Sequence, residues 1–384
     1  MKIAYIVQDL SDPAVARRVG MLRTGGADVD LYGFHRTPAA PDTVAGISPH
    51  SLGRTFDGRL AQRALAVAGR RAAIGRWATG LRDADVIMAR NLECAVLGAA
   101  ARRRFNPGAR LVYELLDIHN AMLGDGPAAS ALRLLERRTL DVCDTVVVSS
   151  PAFEQLYLAA HYPDRPRTLL VENKVFGAPT PSAPAPRPPP GPPWRIGWFG
   201  SIRCRQSLAC LSALLRRRPG LFEVELRGRF SSADLGDLQA LLSDTPGLSY
   251  QGPYKNPDDL AAIYAGVHFA WAIDFYEEGA NSSWLLPNRL YEGGLNGAVP
   301  IALRSVETGR WLAQHDVGCL VDLPLEGSVE QLMQSMNPTR YRGLVDALQA
   351  LGAGVFAVGD ADCRELVCSL ALARSARPGA GVPA

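Results

Sequence analysis

Residues 176–193 carry nine prolines, at positions 179, 181, 184, 186, 188, 189, 190, 192 and 193. Each removes a backbone donor and fixes its own φ, so neither a helix nor an interior strand can run through the segment. A chain of 384 residues interrupted in this way near its middle is expected to fold as two bodies. We take residues 1–175 as a first domain, 176–193 as a linker and 194–360 as a second domain. Residues 361–384 would then be a C-terminal helix and tail, available to pack back on the first domain.

Both halves follow one pattern. Before the prolines, short aliphatic runs at residues 3–7, 29–32, 86–88, 111–115, 145–148 and 169–171 alternate with longer stretches of helical character. In the first of these, Val15, Val19 and Leu22 recur at helical spacing, and Gly25 and Gly26 end the helix. After the prolines come strands at 196–199, 222–226, 248–251, 267–273 and 299–302, with a helix carrying Leu208, Leu211, Leu214 and Leu215. This alternation predicts an α/β chain of two tandem Rossmann-like doubly wound domains, with ligands taken in a cleft at the carboxyl ends of the strands.

Composition excludes several functions. Forty-one basic against 38 acidic residues leave a net charge of +3, too small for a duplex-binding protein, so no nucleic acid partner is expected. The only lysines are Lys2, Lys174 and Lys255, so arginine is this chain's general basic residue and is not by itself a phosphate signature. The seven cysteines include no Cys-x-x-Cys pair and read as core thiols of a reducing compartment. The run at 3–7 is too short for a secretory segment and is stopped by Gln8, Asp9 and Asp12. No apolar run is long enough to span a membrane, and we expect a cytoplasmic protein, peripheral at the inner membrane face if attached at all.

Two polar segments can carry chemistry. Residues 197–207 read Gly-Trp-Phe-Gly-Ser-Ile-Arg-Cys-Arg-Gln-Ser, a strand passing through a tight turn into a helix. Amide groups and two guanidinium groups converging at a helix start suit a diphosphate; a glycine turn with solvated arginines gives the same pattern. Residues 279–292 form a glycine-bearing polar loop entering a helix at Pro287, with Glu292 about one and a half turns in. That carboxylate is placed either to accept the hydroxyls of a ribose or to lie on a solvated helix face.

These two segments, together with Ala89-Arg90-Asn91, residues 144–149, Gly297 and Pro300, resemble the retaining GT-B glycosyltransferases that build bacterial polysaccharides and glycolipids from nucleotide sugars. The resemblance implies that Gly200, Ser201, Arg203 and Arg205 meet the donor diphosphate, that Asn288 and Arg289 line the same site, and that Glu292 holds the ribose. It also has departures. Trp284 stands where the family often has a second glutamate, which leaves Asn281, Ser282 and Ser283 to contact the transferred sugar. Leu116 stands where the family often has a histidine; Asp117 matches the adjacent acid, and His119 comes three residues late.

Asp117 and His119 follow a strand end, where either can position the acceptor or take its proton. The alternatives are a helix N-cap for Asp117 and a hydrogen-bonded loop residue for His119. His268 lies in an apolar strand and reads as a satisfied core residue. Three Asp-x-Asp triplets, at 28–30, 83–85 and 360–362, read as solvated turns, and no Cys/His cluster offers a zinc site. The expectation is metal-independent chemistry without a cofactor. In residues 59–77, Arg59, Arg63, Arg70, Arg71 and Arg76 alternate with Leu60, Val67, Ile74 and Trp77. This is a basic amphipathic helix for an anionic membrane surface or an ordinary packing helix, and Arg102, Arg103 and Arg104 can share its face.

The resulting expectation is a glycosyltransferase moving a hexose-type sugar from a nucleotide-sugar donor to a glycan or lipid-linked acceptor. A sugar-nucleotide 2-epimerase and a catalytically silent nucleotide-sugar-binding protein are the alternatives.

Overall fold

The computed structural model describes residues 1–55, 78–178 and 187–372. The chain forms two compact units, Met1–Glu172 with the segment from Gly359 onward, and Asn173–Val358. The basic segment 59–77 lies outside the described residues.

The first unit holds seven strands: β1 (Lys2–Val7), β2 (Asp28–His35), β3 (His50–Arg54), β4 (Val86–Arg90), β5 (Arg110–Leu115), β6 (Thr145–Val148) and β7 (Arg167–Leu170). They are ordered β3-β2-β1-β4-β5-β6-β7, and every neighbouring pair is parallel. Helices cover the faces of such a sheet, so its central strands are buried on both sides and read as aliphatic runs instead of alternating ones. Helix α1 (Pro13–Thr24) starts at an N-cap, where the Asp12 carboxylate accepts from the Ala14 amide at 2.8 Å, and ends at Gly25. Its Val15, Val19 and Leu22 are buried. Helices α2 (Asn91–Phe105) and α3 (Pro127–Val142) follow β4 and β5.

A side chain at Gly25 would run into the carbonyl of Cys363, because the helix Asp360–Leu370 packs directly on α1. Arg167 of β7 also donates to the Ser369 carbonyl at 2.6 Å. The last helix is therefore part of the first unit.

The second unit has strands β8 (Trp194–Ile202), β9 (Phe222–Phe230), β10 (Leu248–Tyr250), β11 (Phe269–Trp271), β12 (Val299–Leu303) and β13 (Cys319–Val321). The order is β10-β9-β8-β11-β12-β13, again parallel throughout. Helix α4 (Arg205–Arg217) lays Leu208, Leu211, Leu214 and Leu215 into a core with Trp194, Trp198, Phe222 and Trp271. Further along are α5 (Leu260–Ala265), α6 (Asn281–Trp284) and α7 (Asn288–Leu295).

The end of the proline segment is held on this unit. Arg187 donates to the Gly297 carbonyl at 2.8 Å, and His268 lies 3.2 Å from the Pro189 carbonyl through Nε2 while its Nδ1 accepts from the Arg195 amide at 2.9 Å. His268 is a hydrogen-bonded core residue whose pKa burial pushes down.

Candidate active site

In the second unit the chain order reverses between β8 and β11, since β8 continues to β9 on one side and β11 to β12 on the other. The loops leaving these two strands flank the crevice where doubly wound sheets bind ligands. Three contacts tie the loops together. Ser207 Oγ donates to the Ile273 carbonyl at 3.2 Å, the Phe275 amide donates to Cys204 Sγ at 3.2 Å, and the Arg203 guanidinium lies 4.1 Å from the centre of the Tyr276 ring. Stacking uses the face of the guanidinium and leaves its N–H groups in plane for an anion.

The glycine turn expected at Gly200 and Ser201 is not there. β8 runs straight through both, pairing Gly200 with Gly228 and Ser201 with Arg229. Gly200 and Gly228 have φ of 115° and 118°, and a side chain at Gly228 would strike the Gly200 carbonyl. The two glycines let the strands approach closely and prolong the ladder. The chain turns instead at Arg203 and Cys204, and α4 begins at Arg205. Arg205 is exposed and donates to the Asp234 carbonyl at 2.5 Å.

Asn281, Ser282 and Ser283 are not loop residues either; they form the single turn α6. Asn281 donates to Glu277 Oε2 at 2.8 Å, and Ser282 Oγ accepts from the Glu277 amide at 2.9 Å. Ser283 Oγ accepts from the Gly279 amide at 2.9 Å. Their side chains hold the loop in shape, which a sequence pattern of small polar residues cannot distinguish from ligand contacts.

Helix α7 follows its N-cap Pro287, with Asn288 exposed and Arg289 half-buried. The Nη1 atom of Arg289 is buried and has no hydrogen-bond partner among the described residues. Glu292 is only 4% exposed, so it is not a solvated helix charge. Asn256 donates to its Oε1 at 2.6 Å and the Tyr264 hydroxyl to its Oε2 at 3.1 Å. Burial first, and then the Glu292 charge, push the phenols of Tyr264 and Tyr254 up. Both rings pack on Phe199 of β8, with centroids at 4.9 and 6.5 Å.

The first unit reverses between β1 and β4, and a buried ionic network stands there. Arg90 and Arg18 donate to the two oxygens of Glu114 at 2.8 and 2.7 Å, the Tyr5 hydroxyl donates as well, and Asp12 lies 3.5 Å from Arg90. Burial alone would raise the Glu114 carboxyl, but Arg90 and Arg18 overcome it and hold the group at about 2. A second buried acid, Glu136 of α3, receives the hydroxyls of Tyr113, Tyr157 and Tyr162 at 2.7, 2.5 and 2.7 Å. No cation is among these donors, and burial pushes its carboxyl up. Neither acid was assigned a role from sequence.

On the carboxyl edge of this sheet, Asp117 and His119 sit in the loop after β5, both exposed. His119, not Asp117, supplies a cap: its Nδ1 accepts from the Ala121 amide at 3.1 Å at the start of the 3-10 turn Asn120–Met122. Nearby strand ends carry Gln8, Asn91 and Ser149, and Asn91 has φ of 65°. The Asp-x-Asp triplets lie at the amino ends of β2 and β4 and at the start of the last helix, where Asp85, Asp30 and Asp362 have partners in Lys2 and the Gly359 amide. Among the described residues no three His, Cys, Asp or Glu side chains gather as a metal-ligand set. No helix of the described residues is long and apolar enough to cross a membrane.

Residues 13–174 match the glycosyl transferase 4-like domain. The succinoglycan biosynthesis protein ExoL of Rhizobium meliloti is 40% identical over 376 residues, covering 97% of this chain and 93% of ExoL. The chain belongs to the GT-B glycosyltransferases. Solved structures agree on the fold: sucrose-phosphate synthase from Thermosynechococcus elongatus superposes with a TM-score of 0.70 at 15% identity, covering 96% of this chain and 98% of that one. Anabaena HepE in complex with UDP gives 0.68 at 15% identity, covering 96% and 99%. At such identities these likenesses speak for the GT-B architecture alone. Within this glycosyltransferase, the β8–β11 crevice and the carboxyl edge of the first sheet are the two places where candidate site residues gather.

Proposed function

We propose that the second unit binds a nucleoside diphosphate sugar and that the first holds a glycan or lipid-linked acceptor, the hexosyl group passing to it with retention of configuration and without a metal ion. The observation that carries this reading is Arg289: a buried guanidinium nitrogen with no hydrogen-bond partner among the described residues, in the first turn of a helix and three residues before Glu292. An anion there gains both a charge-assisted hydrogen bond and the helix N-terminal field. Arg203 offers a second cation from the neighbouring loop, and Glu292 is an acceptor for ribose hydroxyls.

The donor reading agrees with the UDP complex of HepE, and the polysaccharide setting agrees with the name of ExoL. Retention rests on the family resemblance, and NMR of the first-formed product reads it directly. For acid–base work, Asp117 and His119 are accessible at the edge that would take the acceptor, and the His119 cap fixes the ring so that Nε2 faces away from the backbone contact. We place the enzyme at the cytoplasmic face of a membrane, with residues 59–77 as its anionic-lipid contact.

Calorimetry with UDP, GDP and ADP, alone and as hexose conjugates, tests the donor site. One of them should bind, and a ligand at a hundred times its dissociation constant should stabilise the chain by about 2.7 kcal/mol. Binding that is unchanged in Arg289→Met would remove the proposed diphosphate contact. Trp284 and Leu116, at positions where the family often has glutamate and histidine, favour one second reading, a silent nucleotide-sugar-binding protein. Release of nucleoside diphosphate under turnover conditions decides between them.

A further inference from the structure

We propose that Asn256 and Tyr264 are positioning residues for Glu292, setting the plane of its carboxylate and through it how strictly the second unit demands the hydroxyls of a ribose. This rests on the nucleotide-sugar reading above and adds to it the residues that make the ribose contact selective. The backbone at Glu292 is fixed first. A side chain at Gly293 would strike that of Ala270 in β11, so α7 lies close on the sheet there, and the Glu292 carbonyl accepts from the Asn296 side chain at 2.9 Å. What remains adjustable is the side chain, with torsions of its own.

Two donors settle those torsions. Asn256, in the loop between β10 and α5, donates from Nδ2 to Oε1 at 2.6 Å, and Tyr264 of α5 donates to Oε2 at 3.1 Å. One donor on each oxygen, from two different elements, fixes the carboxylate plane as a single contact could not. An ionised carboxylate only accepts, with room for about four hydrogen bonds, so these two orient it without exhausting it. Tyr264 is the rigid partner: it is wholly buried, its ring stands edge-on to Phe199 of β8 at 4.9 Å, and its raised phenol stays a donor at any working pH. Asn256 is exposed. Oε1 therefore adjoins an exposed side chain, and a ligand approaches from that side.

The arrangement has a consequence for selectivity. A site built to hydrogen-bond a hydroxyl rejects an analogue lacking it far more strongly than an apolar pocket rejects a missing methylene, because the buried polar group is then left unpaired. That holds only while the group is kept in place, since a carboxylate free to turn finds water instead. Asn256 and Tyr264 carry no charge, so they hold Glu292 without neutralising it.

The test is a ratio, measured by calorimetry on the full chain: the affinity for UDP, GDP or ADP against that for the 2′,3′-dideoxy form of the same nucleotide. Wild type should prefer the ribonucleotide by roughly tenfold or more, and Glu292→Ala should abolish the preference. Asn256→Ala and Tyr264→Phe should each reduce it roughly three- to tenfold, with dideoxynucleotide affinity as in wild type. In Asn256→Asp the new carboxyl can donate as the amide did only while protonated, so the preference should be kept at pH 5 and lost at pH 8. A loss falling equally on both nucleotides would mark a packing role and overturn the positioning. An unchanged ratio in Asn256→Ala would do the same, whether or not Tyr264→Phe folds, and so would a ratio in Asn256→Asp that ignores pH. A wild type that binds nucleotide without preferring the ribose form would overturn the ribose role of Glu292 and the positioning with it. Binding of no nucleoside diphosphate at all would instead overturn the nucleotide-sugar reading.

Discussion

Replacing Glu114 by Gln keeps the shape of the side chain and removes the only charge that both buried arginines share. Arg90 retains Asp12 at 3.5 Å, whereas Arg18 is left 4% exposed and without an anion among the ion pairs described. The size of the effect follows from the carboxyl itself. Its lowering from 4.5 to about 2 corresponds to about 3 kcal/mol at neutral pH, and breaking a buried pair typically costs about 3–5 kcal/mol. For a unit of this size that is roughly 6–20 °C in melting temperature.

The sign against pH is fixed as well. The folded pKa is depressed, so the contribution is complete above about 4.5 and is lost as pH falls from there toward 2. The gap between wild type and Glu114→Gln should therefore be wide at pH 7 and should close over that window. Calorimetry reads both units, while in a Trp77→Phe background tryptophan emission follows the second, which holds Trp194, Trp198, Trp271, Trp284 and Trp311; Trp77 alone belongs to the first. The shift belongs to the transition that tryptophan does not report. A gap under about 2 °C at pH 7, or one that stays constant from pH 6 to 3, would refute the claim that the arginines outweigh burial at this carboxyl.

Glu136 predicts the opposite. Its folded pKa is raised by burial, so it costs stability as pH climbs above the ordinary carboxyl range, and Glu136→Gln should match or exceed wild type in thermal melts at pH 8. Arg203→Ala should weaken nucleoside diphosphate binding in calorimetry by a charge-assisted contact, about 1.5–3 kcal/mol, with the melting temperature of the free protein unchanged. Sugar transfer should survive a chelator; full inhibition reversed by manganese or magnesium would show that a triplet such as Asp83 and Asp85 binds metal. Gln at Arg63, Arg70 and Arg71 should lower partitioning onto anionic vesicles by about a hundredfold or more, since each arginine near the surface contributes about 1 kcal/mol, and equal partitioning would make residues 59–77 a packing element.

The sheets were legible in the sequence because parallel strands buried on both faces leave aliphatic runs, and β1, β5, β6 and β12 stand where those runs are. β3 escaped because His50–Arg54 is an edge strand with one buried apolar residue, Leu52, and β13 because three residues give no period. The error at Gly200 has a sharper cause. A lone glycine in a strand normally signals a turn, but here it faces a second glycine, Gly228, across the ladder, and the pair extends both strands. Only knowledge of which strands are neighbours converts Gly200 from a turn residue into a strand residue.

The same dependence on partners explains why the site was half read. Glu292 sits on an amphipathic helix whose sequence leaves open which way it faces, and its burial is decided by Asn256 and Tyr264, 36 and 28 residues away. Arg90, Glu114 and Arg18 lie far apart in sequence, and each alone looks like one more charge in an arginine-rich chain. Their meaning appears only when α1, β4 and β5 set them side by side. Seen that way, the two units solve one problem differently. The first neutralises the charge at its reversal point internally, pairing Glu114 with Arg90 and Arg18. The second leaves one buried guanidinium nitrogen of Arg289 without a hydrogen-bond partner among the described residues and sets Arg203 over the Tyr276 ring, so its edge keeps positive charge in reserve. An anionic ligand at the second unit is what this difference in charge pairing favours.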